Sequence, residues 1–172
     1  AFFFFFFGEA ATATLLVGES CSDVIVLSFR TSVDKWNLCH IPLSHADDFV
    51  SSSVTDRFKP MSFYTSPREL MAVATSMLGT HFNETPALRD RAYDLLIGHE
   101  VSLPTTRMVA KLLNIDPGIV FSTHSRFGNT VSASLPLNIS IAEEEGRLKR
   151  GMQVLLAMGS AGVTSAFCAF RY

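Results

Sequence analysis

Two side chains in this sequence have the types and spacing to work together on a carbonyl group. His99 follows the short apolar run Asp94-Leu95-Leu96-Ile97, and Asn129 follows Ile119-Val120-Phe121; each precedes a segment of helical periodicity. Turns of this kind lie at the carboxyl ends of strands in α/β sheets, where ligands bind. An imidazole and a carboxamide delivered there would each donate a hydrogen bond to charge developing on a carbonyl oxygen. The stretch Arg126-Phe127-Gly128-Asn129-Thr130 has a second reading, in which Gly128 makes a turn and Asn129 or Thr130 caps a helix. His99, too, admits a purely structural role.

Positioning two such groups requires a sheet, and the apolar patterning supplies one. Strands are expected at Ala10 to Val17, Asp23 to Phe29, Asp94 to Ile97, Ile119 to Ser122, Met152 to Met158 and Thr164 to Phe170, the last two flanking Gly159-Ser160-Ala161-Gly162. Ser66-Pro67-Arg68-Glu69 reads as a capping box opening a helix that ends near Gly79. Further helices are expected at Ala87 to Tyr93, Thr105 to Leu113 and Val131 to Glu145, with Pro136 confined to the first turns of the last. This order predicts an α/β protein with a mixed sheet covered by helices on its faces. Thr31 to Thr65 is irregular. His45, Asp47 and Asp48 within it read as a solvated loop and not a metal site, because no second cluster has matching spacing.

Composition narrows the class. Of 172 residues, 48% are hydrophobic, and the formal net charge is −2. That suits a well-packed single domain and excludes a nucleic-acid binder, which would carry a basic stripe. Cys21, Cys39 and Cys168 show neither disulfide nor zinc spacing, so reduced thiols and a cytoplasmic setting are expected. Phe2 to Phe7 is too short to span a bilayer and reads as a strand buried on both faces. With no initiator Met, the chain is expected to be a piece of a longer protein.

Several segments together resemble one family. Phe127-Gly128-Asn129-Thr130 through Glu143-Glu144-Glu145-Gly146-Arg147-Leu148-Lys149-Arg150-Gly151, then Leu155 to Thr164 and the terminal Phe170-Arg171-Tyr172, look like the C-terminal half of β-ketoacyl-acyl-carrier-protein synthase III. Phe7-Gly8-Glu9-Ala10-Ala11-Thr12-Ala13 resembles the family's Phe-Gly-Asp-Gly-Ala-Gly-Ala segment. The resemblance implies the thiolase fold, here as one half with a five-stranded mixed sheet. Residues 1–172 would form the C-terminal domain, without the Cys-bearing N-terminal half.

The resemblance also implies a catalytic set of Cys, His and Asn, with His99 and Asn129 as the two members present. Phe127, Gly128, Gly159 and Gly162 would line the substrate site. The reaction implied is a decarboxylative condensation of acyl-coenzyme A with malonyl-carrier protein, in fatty acid or polyketide-type biosynthesis. Coenzyme A thioesters and carrier-protein phosphopantetheine would be substrates; no cofactor or metal is implied. Expected partners are acyl carrier protein, acyl-coenzyme A, the N-terminal half and a second subunit, with no nucleic acid and no membrane. An acyltransferase forming esters or amides without decarboxylation is an alternative, as is a non-catalytic half-subunit completing another chain. None of the three Cys sits at a strand-to-helix turn, so the isolated chain is expected not to condense anything. Where the family has Gln-Ala-Asn after its His, this chain has Glu100-Val101-Ser102, which bears on carrier-protein contacts. Arg107 or Lys111 would substitute.

Overall fold

A computed structural model describes residues 7–15, 23–41 and 63–172. Seven strands and five α-helices are present among them. The strands are β1 (Asp23–Thr31), β2 (Cys39–His40), β3 (Tyr64–Thr65), β4 (Leu95–Gly98), β5 (Val120–Phe121), β6 (Gln153–Ser160) and β7 (Thr164–Arg171). The helices are α1 (Pro67–Asn83), α2 (Pro86–Arg89), α3 (Leu103–Leu112), α4 (His124–Phe127) and α5 (Ser134–Glu144). Five strands form one mixed sheet in the order β1-β7-β6-β4-β5, and β2 and β3 make a small separate pair. β4 runs parallel to both β5 and β6, whereas β7 is antiparallel to β6 and β1.

The alternation of side chains along the central strands builds two cores. Leu96 and Leu155 point to one face, where Leu78 and Phe82 of α1, Leu113 and Phe167 close over them. Leu95, Ile97 and Val154 point to the other, where Ile141 and Ala142 of α5 join Phe121 and Leu148. A sheet buried on both faces explains the unbroken apolar run of β4, whose four residues are all buried. At the sheet's outer end β1 has large apolar side chains exposed, with Leu27 at 62% and Phe29 at 60%.

Several sequence expectations require correction. Residues 10–15 form no strand and are exposed; residues 16–17 lie outside the described part. Asp23 to Phe29 is a strand that runs on to Thr31, and β1 pairs with β7, 133 to 148 residues away along the register. Alternation identifies a strand without naming its partner. Ser66 precedes α1 without a side-chain cap bond, and the helix continues through Gly79 to Asn83. Gly79 is internal because it faces Leu112, where an added Cβ would stand 3.2 Å from the leucine side chain. Val131 to Glu145 is not one helix: a 3-10 turn (Val131–Ala133) leads into α5, which places Pro136 in its first turn. Phe7 is 42% exposed and so not doubly buried; Phe2 to Phe6 lie outside the described residues, as do Cys21, His45, Asp47 and Asp48. Cys39 and Cys168 are both half-buried free thiols. Among the described residues no helix is long and apolar enough to cross a membrane, and no cluster of three His, Cys, Asp or Glu is suited to a metal.

Candidate active site

His99 stands one residue beyond β4. Its backbone N–H donates to Ala157 O at 2.9 Å, extending the β4–β6 pairing by one step. The ring is therefore delivered by the sheet and not by a free loop. Ser102 then caps α3 by accepting the Thr105 N–H. Between them Glu100 turns inward, only 1% exposed. Its carboxylate accepts from Thr123 N–H at 3.0 Å, Thr123 Oγ1 at 3.3 Å and His124 N–H at 3.3 Å. One side chain thus ties the end of β4 to the first turn after β5.

The loop after β5 brings in Asn129. Gly128 adopts φ 66° and ψ −157°, a conformation open to glycine at little cost. Asn129 Oδ1 accepts the Val131 N–H at 2.9 Å, closing an Asx turn that holds Val131 at φ 52°. A β-branched residue in the left-handed region is rare and costs local energy. Oδ1 is thus engaged in a turn and not in a helix cap, since the N-cap position of the following 3-10 segment is Thr130 and makes no side-chain cap bond; the amide Nδ2 is the donor end of Asn129.

The two side chains are linked by a continuous chain of contacts. His99 Nδ1 lies 2.9 Å from Ser134 Oγ, and Ser134 Oγ donates to Val131 O at 2.7 Å. The Val131 N–H then reaches Asn129 Oδ1. Burial pushes the His99 imidazole below its ordinary pKa, opposed by the Glu100 charge and a hydrogen bond with the Val131 backbone. From the other side Gly8 N–H donates to Asn129 O at 2.9 Å, and Phe7 forms a parallel bridge to Asn129. An added Cβ on Gly8 would fall 1.6 Å from Phe127 O, so only glycine permits this approach.

The remaining sequence candidates occupy different places. Phe127 is half-buried against the α5 core, beneath the Arg126 guanidinium at 5.0 Å from its ring centroid. Gly159 lies near the end of β6, two residues beyond the Ala157 carbonyl that holds His99, and faces Leu78. Gly162 makes the β6–β7 turn at φ 111°, with open space around it. Burial raises the thiol pKa of both Cys39 and Cys168, which opposes any role as a nucleophile. Ser134 and the inward Glu100 were not legible as site residues. Each sits at a helix entry, where a hydroxyl or an acid ordinarily reads as a cap.

A family model described as 3-oxoacyl-[acyl-carrier-protein (ACP)] synthase III C terminal matches residues 84–172, the span that carries both His99 and Asn129. The chain belongs to this synthase III family. Among its curated relatives, the β-ketoacyl-[acyl-carrier-protein] synthase III of Histophilus somni (strain 2336) is 27% identical over 166 residues, covering 96% of this chain and 51% of the relative. That of Enterobacter sp. (strain 638) is 32% identical over 176 residues, with the same coverage of 96% and 51%. The chain therefore spans about half the length of the synthase III relatives it matches. Solved structures show the same thiolase-type fold. The 3-oxoacyl-(acyl carrier protein) synthase III of Pseudomonas aeruginosa PAO1 superposes with a TM-score of 0.70 at 20% identity, covering 87% of this chain and 44% of that one. The synthase III of Aquifex aeolicus VF5 gives 0.68 at 22% identity, covering 91% and 46%.

Proposed function

We propose that the chain is the C-terminal half of a synthase III-type acyltransferase, supplying two of three catalytic groups to a decarboxylative Claisen condensation. The observation that carries this reading is the hydrogen-bond chain joining His99 to Asn129 at the carboxyl ends of β4 and β5. In the complete enzyme, a Cys thiolate of the N-terminal half attacks the carbonyl of acyl-coenzyme A, and coenzyme A leaves as its thiolate. Malonyl-carrier protein then enters. As carbon dioxide departs, the electron pair of its C–C bond moves to the α-carbon and is shared with the thioester oxygen. Asn129 Nδ2, and the His99 ring in its protonated form, stabilise that enolate by hydrogen bonding. The carbanion attacks the acyl-Cys thioester and expels the Cys thiolate.

On this reading no cofactor is required, and coenzyme A thioesters and carrier phosphopantetheine are substrates. Arg107 and Lys111 are exposed on α3, directly after the His99 turn, and would face an acidic carrier protein. A dimer of complete subunits in the cytoplasm goes with the same proposal.

The test uses the complete gene product, with carbon dioxide release from malonyl-carrier protein as the readout. Asn129→Ala and His99→Ala should each lower kcat about 10²-fold or more, as loss of one oxyanion donor does. Wild-type decarboxylation in either variant would refute the assignment. By intact mass, the 172-residue chain incubated with acyl-coenzyme A should stay unmodified; a stoichiometric acyl adduct would show that the nucleophile lies within it.

A further inference from the structure

We propose that Ser134 is a positioning residue that decides which nitrogen of His99 faces the reacting centre. The assignment rests on the role proposed above for His99. A serine hydroxyl has one proton, so it donates one hydrogen bond and accepts at its other contacts. Ser134 Oγ lies 2.7 Å from Val131 O and 2.9 Å from His99 Nδ1. A carbonyl oxygen only accepts, so Val131 O takes the hydroxyl proton. Nδ1 must then be the protonated ring nitrogen, donating to Oγ. In the neutral ring that leaves Nε2 as a lone pair.

The opposite tautomer is poorer by one bond. Turning the hydroxyl toward Nδ1 gives up its bond to Val131 O, which keeps only the Ser134 N–H. Ser134 is 1% exposed, so no solvent replaces what is lost. The partners are also held in place. Ser134 opens α5, Asn138 Nδ2 donates to its carbonyl at 2.8 Å, and Val131 is pinned by Asn129 Oδ1. The ring is half-buried with its Nδ1 side on Ser134, which leaves Nε2 outside that contact. It is the nitrogen offered to substrate. The neutral ring accepts a hydrogen bond there, and it donates only after a second proton makes it imidazolium, with Nδ1–H still on Ser134. Asn129 Nδ2 is the site's permanent donor, and His99 is a conditional one.

Nitrogen-15 histidine labelling of the chain tests this without any turnover. Above the imidazole titration, multiple-bond correlation spectra distinguish the two tautomers, and the His99 signals are those lost in His99→Gln. The expected result is the Nδ1–H form, the reverse of what a free imidazole prefers in water. Ser134→Ala should move His99 toward Nε2–H, and Ser134→Thr, which keeps the hydroxyl, should hold it at Nδ1–H. Wild-type protein in the Nε2–H form overturns the proposal with no variant needed. A Ser134→Ala protein that keeps its circular dichroism spectrum and the Nδ1–H form also overturns it. In the complete enzyme Ser134→Ala should lower kcat about tenfold with KM unchanged, the usual scale for removing a group that orients a functional histidine. If His99 has the expected tautomer while His99→Ala leaves condensation intact, the proposed function fails and the Ser134 assignment stands.

Discussion

Truncating Glu100 should unfasten the two ends of the site from each other, and the cost follows from its bonds. In Glu100→Ala the Thr123 N–H loses its acceptor at a residue only 2% exposed. The His124 N–H falls back on Ser122 Oγ at 3.3 Å, and the Thr123 hydroxyl can rotate. One orphaned buried donor costs about 1–3 kcal/mol, and the space left by the side chain adds to it. The total expected is about 2–4 kcal/mol, a large share of the roughly 5–15 kcal/mol that holds a domain of this size. Glu100→Gln separates charge from geometry. Its carbonyl oxygen can keep both N–H bonds and its amide can donate to Thr123 Oγ1, so about 1 kcal/mol should be lost. Urea unfolding followed by circular dichroism measures both values. In both variants His99 should also become harder to protonate, since the Glu100 charge now opposes the effect of burial. Histidine NMR titration reads that shift. An alanine variant as stable as wild type, or a glutamine variant in which His99 titrates unchanged, would refute the clamp and its charge respectively.

Three further outcomes are expected. Gly8→Ala, whose Cβ cannot stand 1.6 Å from Phe127 O, should abolish hydrogen-exchange protection of the residue 8 amide while the sheet stays protected; retained protection would contradict the approach described. Val131→Asn should stabilise the chain by about 1 kcal/mol in urea unfolding, because asparagine tolerates the left-handed region and Val131 is 53% exposed. Burial lowers the pKa of His81, held between Ser28 and Ser165, as it does that of His99. The unfolded chain therefore binds more protons once pH drops below about 6.5, the ordinary histidine value, and stability should fall with it. A urea midpoint no lower at pH 5 than at pH 7 would contradict this.

What the sequence reveals of this fold depends on the range of each signal. His99 and Asn129 were legible because each follows an apolar run and precedes helical spacing, and the sheet does carry His99 at a strand end. Ser134 was hidden, since nothing local distinguishes a serine that opens a helix from one that holds a ring 35 positions away. Glu100 carried a charge beside the histidine, which suggested surface chemistry; its inward turn depends on Thr123, 23 residues later. The split of the last helix has a local cause, the Asx turn of Asn129, but it shows only in the backbone of Val131. The pairing of β1 with β7 is a long-range event that alternation does not encode.

The outer strand of the sheet bears on how the chain behaves in a test tube. Among the described residues β1, nine residues long, pairs on one side only, with β7, and exposes Val24, Leu27 and Phe29. An edge of that length offers a row of unpaired backbone groups as a template for other chains, with no exposed lysine along it as a deterrent. The 172-residue chain is expected to self-associate through this strand as its concentration rises. A charged substitution at Leu27 or Phe29 should raise the concentration at which the chain stays monomeric by size-exclusion chromatography.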